Sequence, residues 1–302
     1  VSKIVKNENI KTVAFGAAAP LGLLAHSVRR AGVNRIVALT HGHEVWWAKV
    51  FPFNLLMRRI GNGVDSLTYL GEYTHKMISR ALDHQAKLNM VRIAPGIDTE
   101  HFSPRITDDL RHSLNLVGKK VIVCVARLVH RKGQDRLIEA MPAILTSIPN
   151  AHLLIVGEGP YRQHLAKRVS ELGINENVTF VGRISYQQLP EYLCVGDLFA
   201  MPSRSRFWGL EVEGLGISYL EASACGLPVI AGASGGAPDA VDEGKSGVVV
   251  SGVDNEAIAR AVIKFLNDPE SSKVMGGYGR RWVVENWRWE IWSEAFEQLL
   301  KK

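Results

Sequence analysis

Short apolar runs alternate with stretches of helical periodicity along almost the whole of this 302-residue chain, and that alternation constrains the fold more than any other feature. The predicted strands are Lys11–Phe15, Arg35–Thr40, Ser66–Leu70, Met90–Ile93, Lys120–Ala126, His152–Val156, Val178–Val181, Leu198–Met201, Val229–Ala231 and Gly247–Val250. Helices are expected between them, in the latter half near 134–148, 159–172, 185–195, 216–226 and 254–267. Runs without polar alternation are buried on both faces, which in soluble proteins means parallel strands covered by helices on either side. The pattern pauses at an exposed stretch near Asp98–Ile106 and then restarts. We therefore expect an α/β protein of two doubly wound parallel sheets, with residues 1–105 and 106–277 as domains and 278–302 as a helical tail. A ligand belongs at the carboxyl ends of the strands, in the crevice of such a fold. The first domain begins without an opening strand and glycine-rich turn, so it is expected to be truncated at its N-terminus. The tail from Tyr278 reads as one long helix anchored by Trp282, Trp287, Trp289 and Trp292.

The segment RFWGLEVEGLGISYLEASACGLP, residues 206–228, carries the densest functional signal. Ile217–Cys225 reads as a helix closed by Gly226 and stopped by Pro228. Its N-terminus falls near Gly216, where free N–H groups and the positive end of the helix dipole suit a phosphate or diphosphate. Glu213 and Glu221 repel such a group, and their natural partners are sugar and ribose hydroxyls. A ligand with a diphosphate between two hydroxylated rings is a nucleotide sugar. An ordinary helix with an exposed glutamate at each end is the alternative, and spacing alone leaves both open.

Composition narrows the classes. Hydrophobic residues at 46% and charged residues at 22% describe a globular protein. No apolar run approaches the roughly 18–20 residues of a membrane helix, and the charged opening VSKIVKNENIKTVAF predicts a helix end and a strand rather than a secretory leader. Cys124, Cys194 and Cys225 lie in apolar segments without a C-x-x-C pair, the pattern of free thiols in a reducing compartment. The net charge of +6 is unevenly divided: residues 1–105 hold 14 Lys and Arg against 7 Asp and Glu. A basic first domain suits an anionic partner such as a phospholipid surface or nucleic acid, or is simply a solvated surface. The chain offers no aromatic-basic stripe or recognition helix, so nucleic acid is not expected.

Ala126–Gly133 follows a strand and precedes a helix, placing Arg127 and Lys132 at a strand's carboxyl end, where two fixed cations could offset charge on a departing diphosphate. Thr40-His41-Gly42-His43-Glu44 follows another strand and offers a histidine to the transferred sugar. The H-x-H spacing lacks a third metal ligand, and no D-x-D is present, so no metal is expected. Backbone groups of Gly182, Arg183 and Ile184 are placed to read a base edge, or form a turn. Gly157-Glu158-Gly159 lacks the third glycine of a dinucleotide fingerprint, and Ser234–Asp239 enters a helix with Pro238 just inside it. There is no G-x-S-x-G and no phosphate-binding P-loop.

Taken together, Arg127 with Lys132, the glycine after Val156 and the paired Glu213 and Glu221 resemble the retaining family-4 glycosyltransferases, which have the GT-B architecture of two Rossmann-like domains. The segments THGHE (40–44), TYLGEYT (68–74), APGID (94–98), ARLVHRKGQD (126–135) and SGGAPD (234–239) are most similar to mannosyltransferases that extend phosphatidylinositol mannosides. That resemblance implies a GDP-mannose donor, a lipid acceptor, retained anomeric configuration and no metal. It assigns Arg127 and Lys132 to the diphosphate, Glu213 to the donor-sugar hydroxyls, Leu215, Gly216 and Ile217 backbone groups to sugar and phosphate, and Glu221 to the ribose. His41, or failing that His43, would approach the sugar from the first domain. It also implies a cytoplasmic enzyme peripheral on the inner face of the membrane, its basic first domain docked on anionic lipid. A UDP-sugar donor with another acceptor, or a nucleotide-sugar-binding fragment without transfer activity, are the competing expectations. Phe207 and Trp208 set two bulky aromatics beside the glutamates, a departure whose consequence the sequence leaves open.

Overall fold

A computed structural model describes residues 1–301. The chain forms two compact units and crosses between them more than once: the first is Val1–Gly96 with Arg206–Leu215 and the chain from Trp289, the second Ile97–Ser205 with Gly216–Arg288.

In the first unit, four parallel strands, β1 (Thr12–Phe15), β2 (Arg35–Ala38), β3 (Ser66–Tyr69) and β4 (Met90–Arg92), lie in the order β1-β2-β3-β4. A strand order that rises in one direction is one half of a doubly wound sheet, and right-handed crossovers place its connecting helices on one face. The connecting helices are α2 (Ala25–Arg30), α3 (Glu44–Lys49), α4 (Phe53–Gly63), α5 (Glu72–Ser79) and α6 (His84–Leu88), preceded by α1 (Ser2–Asn7) ahead of β1. Ile36 and Ala38 of β2 join Phe15, Leu67, Met57 and Ile78 in the core beneath them. Val37 points the other way, because successive strand residues face opposite sides. There it packs with Ile93 and Leu299, and Leu299 lies on α14 (Trp289–Lys301). The C-terminal helix thus covers the second face of the first sheet, fixed by a 2.9 Å bond from Arg35 Nε to the Leu299 carbonyl.

The second unit holds α7 (Asp108–Ser113), β5 (Lys120–Val125), α8 (Gln134–Ser147), β6 (Ala151–Val156), α9 (Arg162–Glu171), β7 (Val178–Gly182), α10 (Leu189–Cys194) and β8 (Leu198–Met201), then α11 (Ile217–Ala224), β9 (Val229–Gly232), β10 (Gly247–Val250), α12 (Asn255–Asn267) and α13 (Pro269–Asn286). Its six parallel strands run β10-β9-β8-β5-β6-β7, so the order reverses between β5 and β8. Every residue of β6, β8 and β9 is buried, as their almost wholly apolar sequences require; the exception, His152 of β6, is hydrogen-bonded to Thr179. Both sheets use one device to satisfy an orphan strand N–H: Asp65 Oδ2 accepts from Ile36 N and Arg29, and Asp197 Oδ2 accepts from Val121 N and Arg111.

All ten predicted strands are present within two residues of their expected limits, giving an α/β fold of two parallel sheets. The tail differs from its reading. α13 ends at Asn286 and α14 starts at Trp289, because the buried Trp287 leaves helical geometry and its carbonyl accepts the N–H of Ile97 at 2.7 Å. Trp287 packs edge-on against Trp282, and Arg92 lies over the Trp292 ring, but Trp289 is exposed. The stretch 185–195 divides into a short 3-10 turn, Tyr186–Gln188, and α10. Cys124 and Cys225 are buried and Cys194 partly so, all three as free thiols; burial pushes the Cys124 thiol up to about 12.

Gly276 in α13 shows how tightly the second unit is packed: a Cβ there would lie 2.0 Å from the Gly226 carbonyl oxygen. In an open helix Gly→Ala gains about 0.5–1 kcal/mol; Gly276→Ala is expected instead to lose about 1–3 kcal/mol by forcing the backbones apart. Gly277→Ala, whose Cβ would meet only the Arg281 side chain at 3.9 Å, should show the ordinary gain. Chemical denaturation of the two variants checks the contrast, and equal effects would refute the packing account.

Candidate functional site

Where strand order reverses in a parallel sheet, the loops leaving the two central strands diverge and open a ligand-sized crevice at their carboxyl ends. In the second unit those loops are Ala126–Lys132, after β5, and Pro202–Ser205, after β8. They are held to their neighbours through glycines that have no substitute. A Cβ on Gly133, whose φ of +78° already disfavours side chains, would lie 2.0 Å from the Pro202 oxygen. On Gly157 and Gly159 it would strike the carbonyls of Ala126 and Leu128, and on Gly232 and Gly252 that of Ser203. Ser203, fully buried, shares a 2.9 Å hydrogen bond with Tyr219 Oη of α11, and Tyr219 donates to the Met201 carbonyl at 2.7 Å.

The strongest polar link here is a buried ion pair. Arg204 donates to both carboxylate oxygens of Asp135, at 2.8 and 2.7 Å, and each residue is 5% exposed. The same guanidinium reaches a ring nitrogen of His130 at 2.8 Å, and the Arg204 N–H donates to the Arg131 carbonyl at 2.8 Å. Gln134 Nε2 donates to the Arg127 carbonyl at 3.2 Å. Burial alone would raise the Asp135 carboxyl, but the hydrogen bonds and charge of Arg204, helped by His130, hold it below the usual carboxylate value. Arg204 thus pins the basic turn 127–132 to the exit of β8.

On that turn Arg127 is exposed and Lys132 half-buried. The Lys132 ammonium lies near enough to Glu221 of α11 to favour its ionised form, yet burial outweighs it and pushes the carboxyl up to about 7. The structure therefore sets Lys132 near Glu221, with Arg127 exposed on the same turn as Lys132. Gly216 caps α11 in a left-handed conformation, φ +85°, with Ile217 exposed as the first helical residue. Gly182, at φ +85°, accepts the Gly157 N–H at 2.8 Å with its carbonyl, and Arg183 beyond it is exposed. Ser234 meets Ser205 at 3.3 Å, and Pro238 sits in the first turn of a short 3-10 helix, Ala237–Ala240.

Glu213 and Leu215 belong to the first unit, not with Glu221. The contact that places them there is between glycines: a Cβ on Gly42 would lie 2.7 Å from Gly214 Cα, and one on Gly214 3.0 Å from the His41 oxygen. His41 and Glu213 are thereby neighbours. At 7% exposure Glu213 is not the solvent-facing glutamate of an ordinary helix end. His41 Nε2 donates to the Gly16 carbonyl at 2.5 Å, and the His41 N–H donates to Glu44 Oε2 at 2.9 Å. His43 faces Ala19 O and Glu44 Oε1. Sequence reasoning missed Arg204, Asp135 and the fully buried Glu44. Two arginines after a strand's last apolar residue, with no nearby acid to pair the first, were the available signal for Arg204. Among the described residues no group of three or more His, Cys, Asp or Glu could hold a metal ion.

Residues 106–282, the bulk of the second unit, match the profile of the family described as Glycosyl transferases group 1. The chain belongs to that family. It is 45% identical over 302 residues to the GDP-mannose-dependent alpha-(1-6)-phosphatidylinositol monomannoside mannosyltransferase of Mycolicibacterium smegmatis, covering 99% of this chain and 78% of that protein. It is 41% identical over 305 residues to the GDP-mannose-dependent monoacylated alpha-(1-6)-phosphatidylinositol monomannoside mannosyltransferase of Corynebacterium glutamicum, covering 100% and 79%. Among solved structures, HepE of Anabaena in complex with UDP superposes with a TM-score of 0.86 at 19% identity, covering 99% of this chain and 80% of that one. Sucrose-phosphate synthase of Thermosynechococcus elongatus gives 0.80 at 25% identity, covering 95% and 72%. These structures carry the fold.

Two outcomes follow for this group 1 glycosyltransferase. Arg204→Met alone strands a buried carboxylate and should cost about 3–5 kcal/mol, whereas Arg204→Met with Asp135→Leu should recover most of that in equilibrium denaturation. For Glu221, the folded carboxyl at about 7 lies above its unfolded value of 4.5, so the folded protein retains a proton that the unfolded chain has lost. Stability is therefore lost as pH rises from 4.5 through 7. Glu221→Gln should raise the melting temperature at pH 8 and leave it unchanged at pH 4; a gain that does not grow with pH would contradict this.

Proposed function

We propose that the protein transfers a mannosyl residue from GDP-mannose to a phosphatidylinositol-mannoside-type lipid acceptor, with retention of anomeric configuration and without a metal. The observation that carries this reading is 41–45% identity, over essentially the entire chain, to enzymes named for that reaction.

In this reading Arg127 and Lys132 bind the diphosphate, and the free N–H groups of Gly216 and Ile217 at the start of α11 add a positive dipole end. Glu221 accepts from the ribose hydroxyls, and the Gly182–Ile184 backbone reads the base edge. Glu213 accepts from the mannose hydroxyls, Leu215 contributes its backbone N–H, and His41 turns its ring toward the sugar. The bond from mannose C1 to the phosphate oxygen breaks with its electron pair passing to GDP, where the two cations stabilise it. The acceptor oxygen bonds to C1 on the same face, and its proton goes to the departing phosphate oxygen. Fixed cations act most where charge develops, so they lower the barrier rather than merely tighten binding. Charge neutralisation by side chains is what leaves no task for a metal.

The acceptor fits the charge distribution. Residues 1–105 carry a net +7, matched to a surface of anionic lipid, and no helix among the described residues is long and apolar enough to cross a membrane. Peripheral attachment at the cytoplasmic face is the corresponding localisation.

Calorimetric titration with GDP-mannose and UDP-glucose, beside transfer assays with the lipid acceptor, tests the reading. We expect saturable GDP-mannose binding, and a loss of about 100- to 1000-fold in kcat for each of Arg127→Ala and Lys132→Ala. A preference for UDP-glucose would replace the donor assignment. Donor binding without transfer to any acceptor would reduce the protein to a nucleotide-sugar binder.

A further inference from the structure

Between the strand β8 and the buried Glu213 the chain makes a tight hairpin that the donor reading leaves without a task. Arg206 and Glu211 close its base through two backbone hydrogen bonds, 2.8 and 3.2 Å, and a 3.0 Å ion pair. The Gly209 N–H donates to the Arg206 carbonyl at 3.0 Å. At its tip Phe207, Trp208 and Gly209 are all left-handed, with φ of +49°, +53° and +80°. A side chain pays steric strain for that geometry, and strain is retained where function demands the exposed shape. The hairpin spends it on burying nothing: Trp208 is 98% exposed and Phe207 59%.

The chemistry around the tip names its partner. Arg206 lies over the Phe207 ring, 4.6 Å from its centroid, and Lys49 at the end of α3 donates to the Gly209 carbonyl at 2.8 Å. Arg80 is close enough to Lys49 to depress the ammonium, after burial, the larger cause. An aromatic apex backed by cations matches a lipid at the water interface, where indole sits among the upper acyl segments and the cations meet phosphodiester oxygens. Two residues beyond the hairpin come Glu213 and Gly214, the latter packed against Gly42 beside His41. An acyl chain gripped by the tip would therefore bring its headgroup to the residues that handle the sugar.

We propose that the Arg206–Glu211 hairpin inserts Phe207 and Trp208 among the acyl chains of the lipid acceptor, and so selects acylated over deacylated acceptor. The inference rests on the acceptor class proposed above, and the experiment separates the two. The wild-type chain, Trp208→Ser, Trp208→Leu and Phe207→Ser are assayed at saturating GDP-mannose with phosphatidylinositol monomannoside in vesicles and with its deacylated glycerophospho form. Trp208→Ser should raise KM for the lipid about tenfold, the scale of one large apolar side chain withdrawn from hydrocarbon. Trp208→Leu should recover part of that loss, KM for the deacylated acceptor should stay unchanged, and so should GDP-mannose affinity. Equal losses on both acceptors would place the indole on the headgroup and overturn the proposal, as would unaltered KM values. Independently of turnover, vesicles of phosphatidylcholine and phosphatidylinositol should shift tryptophan emission to the blue in wild type and not in Trp208→Ser. If wild type transfers to neither acceptor, the acceptor reading fails and the emission shift alone decides the hairpin's role. Concentration-dependent dimerisation that Trp208→Ser abolishes, without a vesicle shift, would assign the tip to a second copy of the chain and overturn the proposal too.

Discussion

The second unit depends on the ion pair between Arg204 and Asp135. Two opposite charges taken out of water cost several kcal/mol each, and they are tolerated only when geometry is close to ideal and remaining donors are satisfied. Here the guanidinium is bidentate, with a further contact to His130, and Tyr161 Oη approaches Asp135 from α9's side at 3.4 Å. The pair joins the loop after β8 to the first turn of α8, at the one place where the strand order of the sheet reverses. Around that point the backbone approaches so closely at Gly133, Gly157, Gly159 and Gly232 that no Cβ fits. A hydrophobic pair could fill the same volume, but only a charged, directional link also fixes the turn that bears Arg127 and Lys132.

The same unit carries a group that works against its own stability. Glu221 is held where burial favours the neutral acid, and Lys132 offsets only part of that cost. In the proposed reading, ribose hydroxyls would donate to this carboxylate and offset the cost of burying its charge, part of the desolvation having already occurred on folding. In the first unit the strain is of another kind, backbone geometry at Phe207 and Trp208, and it sits next to the contact between Gly42 and Gly214 that sets His41 beside Glu213.

The ten strands were legible because their apolar runs are short, unbroken and punctuated by glycine, and buried parallel strands have no other way to be written. Arg127 and Lys132 were legible for a related reason: a basic turn between such a strand and a helix must lie at the strand's carboxyl end. The break in the tail was not, since Trp287 and Trp289 look alike in sequence and differ only in that one meets the Ile97 backbone and is buried while the other is exposed. Arg204 was harder to read: the two arginines after β8 hint at it, but its partner Asp135 is 69 positions away.

Sequence by itself determined the ten strands, the parallel sheets and the strand-end position of the cations, because each follows from periodicity and from neighbours within a few residues. It also held the family, through Glu213, Glu221 and the basic turn. Tertiary structure alone decided where the chain crosses between units. Arg206–Leu215 joins the first through the glycine contact at Gly42, and α14 returns to cover the free face of the first sheet at Val37 and Ile93. It alone also decided that Phe207 and Trp208 stand in solvent. Those outcomes depend on which distant surfaces can exclude water together, and a linear pattern carries no record of that.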